Sequence, residues 1–182
     1  MQARRFVLLV AAVSILTPGI ASAQRPRISP HETTSTVIDG NRVTVIYGRP
    51  YSKDPKSGEI RKIWDKLVPF SKAWRLGADE ATTLITQKPI VFGETTIEPG
   101  AYTLYMVPEK DGGKLAFSKA IGGWGVPVDE KHDLARVDLK KETLNPAVEQ
   151  LGMAIEKNPS GGGVVKIMWE DAVYSAPFTV QK

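Results

Sequence analysis

Hydrophobic and polar residues alternate with a period of two along much of the chain beyond residue 33. The clearest run closes the segment 33–47, where Val43, Val45 and Tyr47 share one face. Side chains two positions apart point to the same side of an extended backbone, so this period predicts a largely buried strand. A glycine turn at 39–41 separates it from the strand-like run before it, which predicts a hairpin.

Similar short runs continue to the C-terminus, separated by turns rich in Gly, Pro, Asp and Asn. They fall at 82–87, 90–92, 95–97, 101–107, 114–118, 134–139, 148–156, 164–169 and 173–180. Short strands with closely spaced turns are typical of antiparallel folds rather than α/β folds. The pattern therefore predicts an all-β protein, an antiparallel β-sandwich or jelly-roll-like fold of nine or ten short strands.

One short helix is predicted near residues 60–67. Ile63, Trp64 and Leu67 would lie on a common side of it, and Pro69 would end it. No internal repeat, low-complexity tract or second domain is visible in the pattern.

The first 23 residues have the three parts of a secretory signal peptide. Two arginines, Arg4 and Arg5, precede an apolar run at 6–16, and Ala21-Ser22-Ala23 supplies small residues at the cleavage spacing. The apolar run is shorter than the roughly 17 residues needed to cross a bilayer, so we expect cleavage rather than a retained anchor.

The expected organisation is a signal peptide at 1–23, a flexible N-terminal arm at 24–32 and a single β domain at 33–182. No later segment of the mature chain is long and apolar enough to cross a membrane. We therefore expect an exported protein, periplasmic or secreted, without a transmembrane segment after cleavage.

Charge and composition exclude several classes of function. Removing the two signal-peptide arginines leaves 22 Lys and Arg against 20 Asp and Glu, a net charge of +2. A nucleic-acid-binding domain would be more strongly basic, so no nucleic-acid partner is expected. The chain has no cysteine, which excludes thiol catalysis, iron–sulfur clusters and cysteine zinc sites.

Metal ligands are also scarce. The two histidines, His31 and His132, lie far apart and outside the spacings of zinc sites, so no metal site and no cofactor is predicted. The acidic residues Asp129, Glu130 and Asp133 are oxygen ligands of the kind calcium prefers, but a solvated loop is the expected arrangement. No catalytic residue is assigned.

The richest chemistry lies at Trp74–Thr82, where an aromatic ring, a guanidinium and two adjacent carboxylates precede a strand. Arginine presents a fork of donors that suits carboxylates and phosphates. Together with two residues from other segments, this block supplies the candidate ligand-binding residues. They are Arg49, Trp74, Arg75, Asp79, Glu80 and Trp124.

Each of these candidates also has a purely structural interpretation. Arg75 can be satisfied by an internal ion pair with Asp79, Glu80 or Asp65, which is the arrangement we expect. Trp124, among glycines, is either a lid over the core or a stacking surface for a ligand, and we expect the lid.

The adjacent carboxylates Asp79 and Glu80 raise the question of acid–base catalysis. Glycosidases use two carboxyls that face each other across roughly 5–9.5 Å. On an extended chain neighbouring side chains point to opposite faces, so we do not expect these two to form such a pair.

Several motifs together resemble a known family. They are Arg49-Pro50, Arg61-Lys62-Ile63-Trp64, Leu67-Val68-Pro69-Phe70, the Trp74–Thr82 block, Pro99-Gly100-Ala101-Tyr102-Thr103-Leu104-Tyr105, Trp124-Gly125 and Asp133-Leu134-Ala135-Arg136-Val137. In this combination the chain resembles domain of unknown function family 2911, from about Ser29 to the C-terminus. The resemblance implies an exported bacterial protein but no mechanism. The family usually carries Asn at the position of Asp79, which matters little if that residue only closes a turn.

The sequence thus favours an uncharacterised exported β domain that is a non-catalytic binding or structural protein of the cell envelope. Its partner would be a small molecule, a glycan or an envelope protein. The alternative is a carboxylate-dependent hydrolase, acting on glycans or related envelope substrates, with Asp79 or Glu80 as acid or base. Whether the protein is an enzyme stays open, with binding favoured.

Overall fold

A computed structural model describes residues 27–181, so the predicted signal peptide at 1–23 lies outside the described residues. Within this range the chain forms nine antiparallel strands, and one 3-10 turn is the only helix. The strands are β1 (His31–Ile38), β2 (Asn41–Gly48), β3 (Thr83–Thr86), β4 (Ile90–Phe92), β5 (Thr95–Ile97), β6 (Gly100–Pro108), β7 (Gly112–Ser118), β8 (Asp133–Lys157) and β9 (Gly163–Val180). The all-β, antiparallel prediction is confirmed.

The nine strands belong to one sheet, in the order β1-β2-β3-β6-β7-β8-β9-β4-β5. The structure does not confirm the sandwich or jelly-roll arrangement. The predicted hairpin of β1 and β2 forms about its turn, with Ile38 paired to Asn41. Two residues assigned to the arm, His31 and Glu32, belong to β1 instead.

The sheet curves so that the second half of β8 lies against β1 and β2. The amide of Met153 donates to the hydroxyl of Tyr47 at 2.8 Å, and the hydroxyl of Thr36 donates to the carbonyl of Ile155, also at 2.8 Å. The hydrophobic core is enclosed by this curvature. Burial of the side chains on the concave face is the main stabilising contribution.

Two strands are much longer than the sequence predicted, because each joins two predicted runs. In β9 the buried positions are Val165, Ile167 and Trp169, and then Ala172 and Tyr174. The spacing therefore changes from two to three after Trp169. Glu170 has a φ of 53° at this change of spacing, and the pairing with β8 is irregular on both sides of its partner Val148, so both halves of β9 face the core.

The helix predicted at 60–67 is wrong. Asp65 has a φ of 65°, which no α-helix accommodates, and Ile60 is 82% exposed. The indole of Trp64 instead donates to the carbonyl of Trp169 at 3.2 Å. A helix of two turns gains too little from its own hydrogen bonds to resist such packing.

The described residues contain no helix of the length and apolarity needed to cross a membrane.

Candidate functional site

The Trp74–Thr82 block forms a compact loop that packs on β2 and β6 before β3 begins. Trp74 exchanges two backbone hydrogen bonds with Met106, at 2.7 and 2.9 Å. At the other end, the hydroxyl of Thr82 donates to the carbonyl of Leu76 at 2.7 Å. Leu76 has a φ of 59° and Asp79 a φ of 61°. Left-handed backbone at non-glycine residues is strained, and such strain concentrates at functional sites.

The closest approach in this region is between the block and Gly48 at the end of β2. A Cβ on Gly48 would lie 2.1 Å from the carbonyl oxygen of Ala78, and the amide of Ala78 donates to the carbonyl of Gly48 at 3.2 Å. No other residue type fits there, so Gly48 fixes the height of the block above the sheet.

Arg75 does not form the expected ion pair. Its Nε donates to the carbonyl of Gly77 at 3.2 Å, and Nη1 donates to the carbonyls of Asp79 (3.2 Å) and Trp124 (3.3 Å). None of the ion pairs within residues 27–181 includes it. Three of its five N–H groups are thus used on carbonyls, and the two on Nη2 have no acceptor in that range.

The two carboxylates turn towards the segment before β1. Glu80 pairs with Arg27, one of the two contacts measuring 2.6 Å. His31 Nε2 lies 3.0 Å from Glu80 Oε2 and 3.7 Å from Asp79 Oδ2. The prediction that the two side chains diverge is therefore wrong, because the positive φ of Asp79 interrupts the extended backbone on which it rested.

These contacts set the ionisation of Glu80. Hydrogen bonding and charge attraction from Arg27 lower the pKa of Glu80 to about 2, and the pKa of Arg27 is raised in turn. A carboxyl that acts as a general acid needs a raised pKa, so Glu80 is unsuited to donate a proton.

Trp74 belongs to an aromatic cluster built from three distant segments. It stacks on Trp169 with ring centroids 5.7 Å apart and an interplanar angle of 21°. It also meets the edge of Trp64 at 6.2 Å, and Trp64 contacts Tyr174 at 5.0 Å. Because Trp169 and Trp64 are buried, the cluster fixes the half-buried ring of Trp74 at the surface.

A groove of about 890 Å³ runs beside this cluster. Its size is that of a site for a drug-sized molecule or a short oligosaccharide. Aromatic walls, a guanidinium and a carboxylate come together in it. The lining residues that matter here are Tyr51, Trp74, Arg75, Asp79, Pro127 and Trp169.

The groove carries an excess of positive charge. Its lining includes three cations, Lys56, Arg61 and Arg75, against the two carboxylates of Asp54 and Asp79. Arg61 lies 3.8 Å from Asp54 and also donates to the carbonyls of Tyr51 and Ser52, so it is held by the protein. Neither Lys56 nor Arg75 forms an ion pair in the described range, but Lys56 is exposed, whereas Arg75 is half-buried and held by carbonyls.

A second, smaller cavity of about 220 Å³ lies on the other side of Arg75. We call it the loop cavity, because residues of the loop 119–129 form its outer wall over Thr103, Tyr105 and Ser118. Arg75 and the run 126–128 line both spaces. The hydroxyl of Thr103 is buried there and has no hydrogen-bond partner in the part of the chain that the structure describes.

The loop 119–129 is attached to the block by its glycines. The amide of Ala81 donates to the carbonyl of Gly123 at 3.1 Å. Gly125, with a φ of 64°, lies so close that an added Cβ would be 3.1 Å from the Cβ of Ala81. The expected role of Trp124 as a lid over the core is wrong, because its side chain is 59% exposed, and its carbonyl contacts Arg75 instead.

Arg49 is placed away from the groove. Its Nε donates to the carbonyl of Leu151 at 2.9 Å, and its Nη1 pairs with Glu32. It therefore joins β2 to the curved part of β8. Of the six candidates, the structure brings Trp74, Arg75 and Asp79 into the groove, with Glu80 beside it.

The acidic residues near 129–133 are engaged with neighbours. Asp129 lies 3.1 Å from the imidazole of His132, and Arg136 pairs with Glu130 and with Asp133, the latter at 2.8 Å. Among residues 27–181 no group of three or more metal-binding side chains is placed to hold an ion.

The sequence interpretation missed part of the groove wall. It did not assign Trp169, Arg61 or the run 126–128 to the site, although all of them line the groove and Trp169 is also part of the buried core. Their separation from Trp74 along the chain conceals their proximity. The only signal in the sequence was that Arg61 lies inside one of the family motifs.

Comparison with known proteins identifies the family of this chain. Neither the curated proteins nor the solved structures gave a match. A family model described as "Protein of unknown function (DUF2911)" matches residues 29–178, which include the whole block, the loop cavity and every residue that lines the groove except Ile28. The chain therefore belongs to the DUF2911 family.

Proposed function

We propose that this protein is an exported, non-catalytic binding protein whose groove holds an acidic glycan or a single sugar acid. The ring of such a ligand would lie against Trp74, its acid group would meet Arg75, and its hydroxyls would reach the carboxylates of the groove wall. Aromatic faces with a few placed polar groups are the usual composition of small-molecule sites.

The observation that carries the proposal is the state of Arg75. A half-buried guanidinium that is fixed by three carbonyls, but balanced by no carboxylate in the described range, is preorganised for an external anion. Carbonyls orient the fork without neutralising its charge. The leftover N–H groups on Nη2 are donors that a ligand carboxylate can use.

Hydrolysis is less well supported. Asp79 and Glu80 both approach His31, but Glu80 is held ionised by Arg27. Two carboxyl groups that cleave a glycosidic bond need one of them to be protonated, and Glu80 does not supply that proton because it stays ionised.

The test is calorimetric titration with glucuronate and digalacturonate, with glucose as the neutral counterpart. We expect the acids to bind more tightly than glucose, and Arg75→Gln to weaken their binding at least about tenfold, since it removes a charged hydrogen bond. The matched control is Arg42→Gln, an exposed arginine on β2. Equal binding of glucuronate and glucose, or full affinity in Arg75→Gln, would refute the proposal.

Export is a separate part of the proposal and rests on the N-terminal sequence pattern. Expression of the full chain in a bacterium, followed by mass spectrometry of the envelope and cytoplasmic fractions, tests it. The expected product begins at Gln24 and lies outside the cytoplasm. An uncleaved chain in the cytoplasm would contradict export without bearing on the groove.

A further inference from the structure

We propose that the loop cavity is a second binding site, which takes a small carboxylic acid bearing a hydroxyl or ammonium group on its α-carbon. The site shares Arg75 and the run 126–128 with the groove, but Thr103, Ser118 and Asp129 line the loop cavity alone. It can therefore exist whether or not the groove binds a sugar acid.

The floor of the cavity is the face of β6 and β7 that points away from the core. Thr103 pairs with Ser118 and Tyr105 with Ala116 across these strands. On an ordinary sheet of this kind one face would be solvated. Here all four residues are buried, and the loop 119–129 faces Thr103, Tyr105 and Ser118 across the cavity.

The floor presents hydroxyl groups that the protein does not satisfy. Thr103 is only 8% exposed, and its Oγ1 has no partner among residues 27–181. Ser118 Oγ accepts from the amide of Ala120 at 3.3 Å, which leaves its own hydrogen for another acceptor. A buried hydroxyl without a partner is costly, so its retention points to a ligand that completes it.

The cavity contains one charge of each sign. Arg75 lines the cavity as well as the groove, and its two Nη2 N–H groups, which have no acceptor among residues 27–181, can serve an acid in one of the two spaces at a time. Asp129 contributes a carboxylate. Asp129 accepts from the amide of Lys131 at 3.1 Å, and this contact, together with His132, lowers its pKa and keeps it ionised. A carboxylate on the ligand would meet Arg75 and the hydroxyls, while a hydroxyl or ammonium group would donate to Asp129.

Size and charge narrow the ligand class. A volume of about 220 Å³ is below the range of drug-sized sites, so only a molecule of a few carbon atoms fits. Val126, Pro127 and Val128 give the wall an apolar character that suits a short alkyl group. A phosphate dianion is disfavoured, because a single guanidinium would have to balance two charges beside Asp129.

The experiment is an NMR titration of the isotope-labelled protein with lactate, alanine, propionate and propane-1,2-diol. We expect saturable shifts at residues of the loop 119–129 with lactate or alanine. Propionate lacks the donor and the diol lacks the carboxylate, so both should bind at least about tenfold more weakly. Lactate and alanine distinguish a hydroxy acid from an amino acid as the preferred class.

Thr103→Val is the decisive variant, because it removes the hydroxyl and keeps the shape. We expect it to weaken lactate or alanine binding at least about tenfold. The ligand-free variant should melt at the same temperature as the native protein or higher, since an unsatisfied buried group has gone. Thr96→Val, an exposed threonine on the edge strand β5, is the matched control and should change neither property.

The two sites fail separately. Thr103→Val should leave glucuronate binding in the groove unchanged, and Trp74→Leu should weaken glucuronate binding without affecting lactate or alanine. The loop-cavity proposal is wrong if neither acid binds, if propionate and the diol bind as tightly, or if Thr103→Val keeps full affinity for the acids.

Discussion

Gly48 and Asp79 show how single residues hold the Trp74–Thr82 block in place. The first has no side chain because the carbonyl of Ala78 occupies the space of a Cβ. The second adopts a φ of 61°. Asn and Asp tolerate this region better than other non-glycine residues, so either residue suits this position. The backbone conformation at residue 79, rather than its side-chain charge, therefore decides which residues fit there.

Gly48→Ala should lower the free energy of unfolding by about 1–3 kcal/mol, because the new methyl group meets backbone rather than a movable side chain. Gly152→Ala is the control, since its Cβ would make only an ordinary contact with Met168 at 3.6 Å. Urea denaturation of both variants measures the difference. Equal stability of the two variants would show that the block can move away from β2.

Asp79→Asn should keep the stability of the native chain within about 0.5 kcal/mol, because Asn adopts the left-handed region readily. Asp79→Ala should be less stable than Asp79→Asn by about 1 kcal/mol, the cost of that conformation for an ordinary side chain. Thermal and urea unfolding provide the comparison. If both variants lose the same amount, the carboxylate near His31 matters and the backbone does not.

At the scale of the strands, the alternation of hydrophobic and polar residues predicts where strands lie but not where each strand ends. The buried positions of β2 and of both halves of β9 follow the period of two that the sequence displays. The join at Glu170 was missed, because a bulge changes the phase of the pattern and looks like the end of a strand. The helix prediction for the segment 60–67 was wrong for another reason. Its apolar spacing suits a helix, yet Trp64 packs into the core instead.

Glu170→Gly should raise the free energy of unfolding by about 0.5–1 kcal/mol, because glycine accepts the φ of 53° without strain. The neighbouring Asp171→Gly is the control. Its backbone is not left-handed, so glycine there should cost about 0.5–1 kcal/mol through chain entropy. Chemical denaturation measures both. A loss of stability in Glu170→Gly would mean that its side chain outweighs the strain.

At the scale of the whole molecule, contacts between distant segments join the N-terminal residues, the block and the loop 119–129. Arg27 contacts Glu80, Gly48 contacts Ala78, and Arg75 contacts the carbonyl of Trp124. These contacts create the groove and the loop cavity. Both spaces lie between segments that no local pattern relates.

The contact of Glu80 with Arg27 makes stability depend on pH. The pKa of Glu80 is about 2 in the folded protein against an ordinary value of 4.5. A lowered pKa stabilises the fold above the ordinary value, and this stabilisation is lost as the pH falls towards 2. The surroundings of Glu80 include His31 and Asp79 as well as Arg27.

The stability difference between the native chain and Glu80→Gln should therefore shrink when the pH is lowered from about 5.5 to about 2.5. Denaturant unfolding at the two pH values measures it. Glu94→Gln removes an exposed carboxylate on the β4–β5 turn and should show a much smaller change. A constant difference for Glu80→Gln would show that the pair with Arg27 contributes nothing in solution.

The sequence by itself determined the antiparallel all-β class, most strand positions and the block that identifies the family. These are local properties, because a period of two decides which side chains can face a core and because glycines and prolines mark the turns. It also selected Trp74, Arg75 and Asp79 as candidates, on the chemistry of their side chains alone.

Only the tertiary structure decided the partners of those residues. It gave Arg75 three carbonyls instead of a carboxylate, turned Asp79 and Glu80 towards His31, and placed the loop 119–129 over the outer face of β6 and β7. The physical reason is the same in each case. Hydrogen bonds and close contacts between distant segments depend on how the whole chain closes, and local periodicity carries no information about that closure.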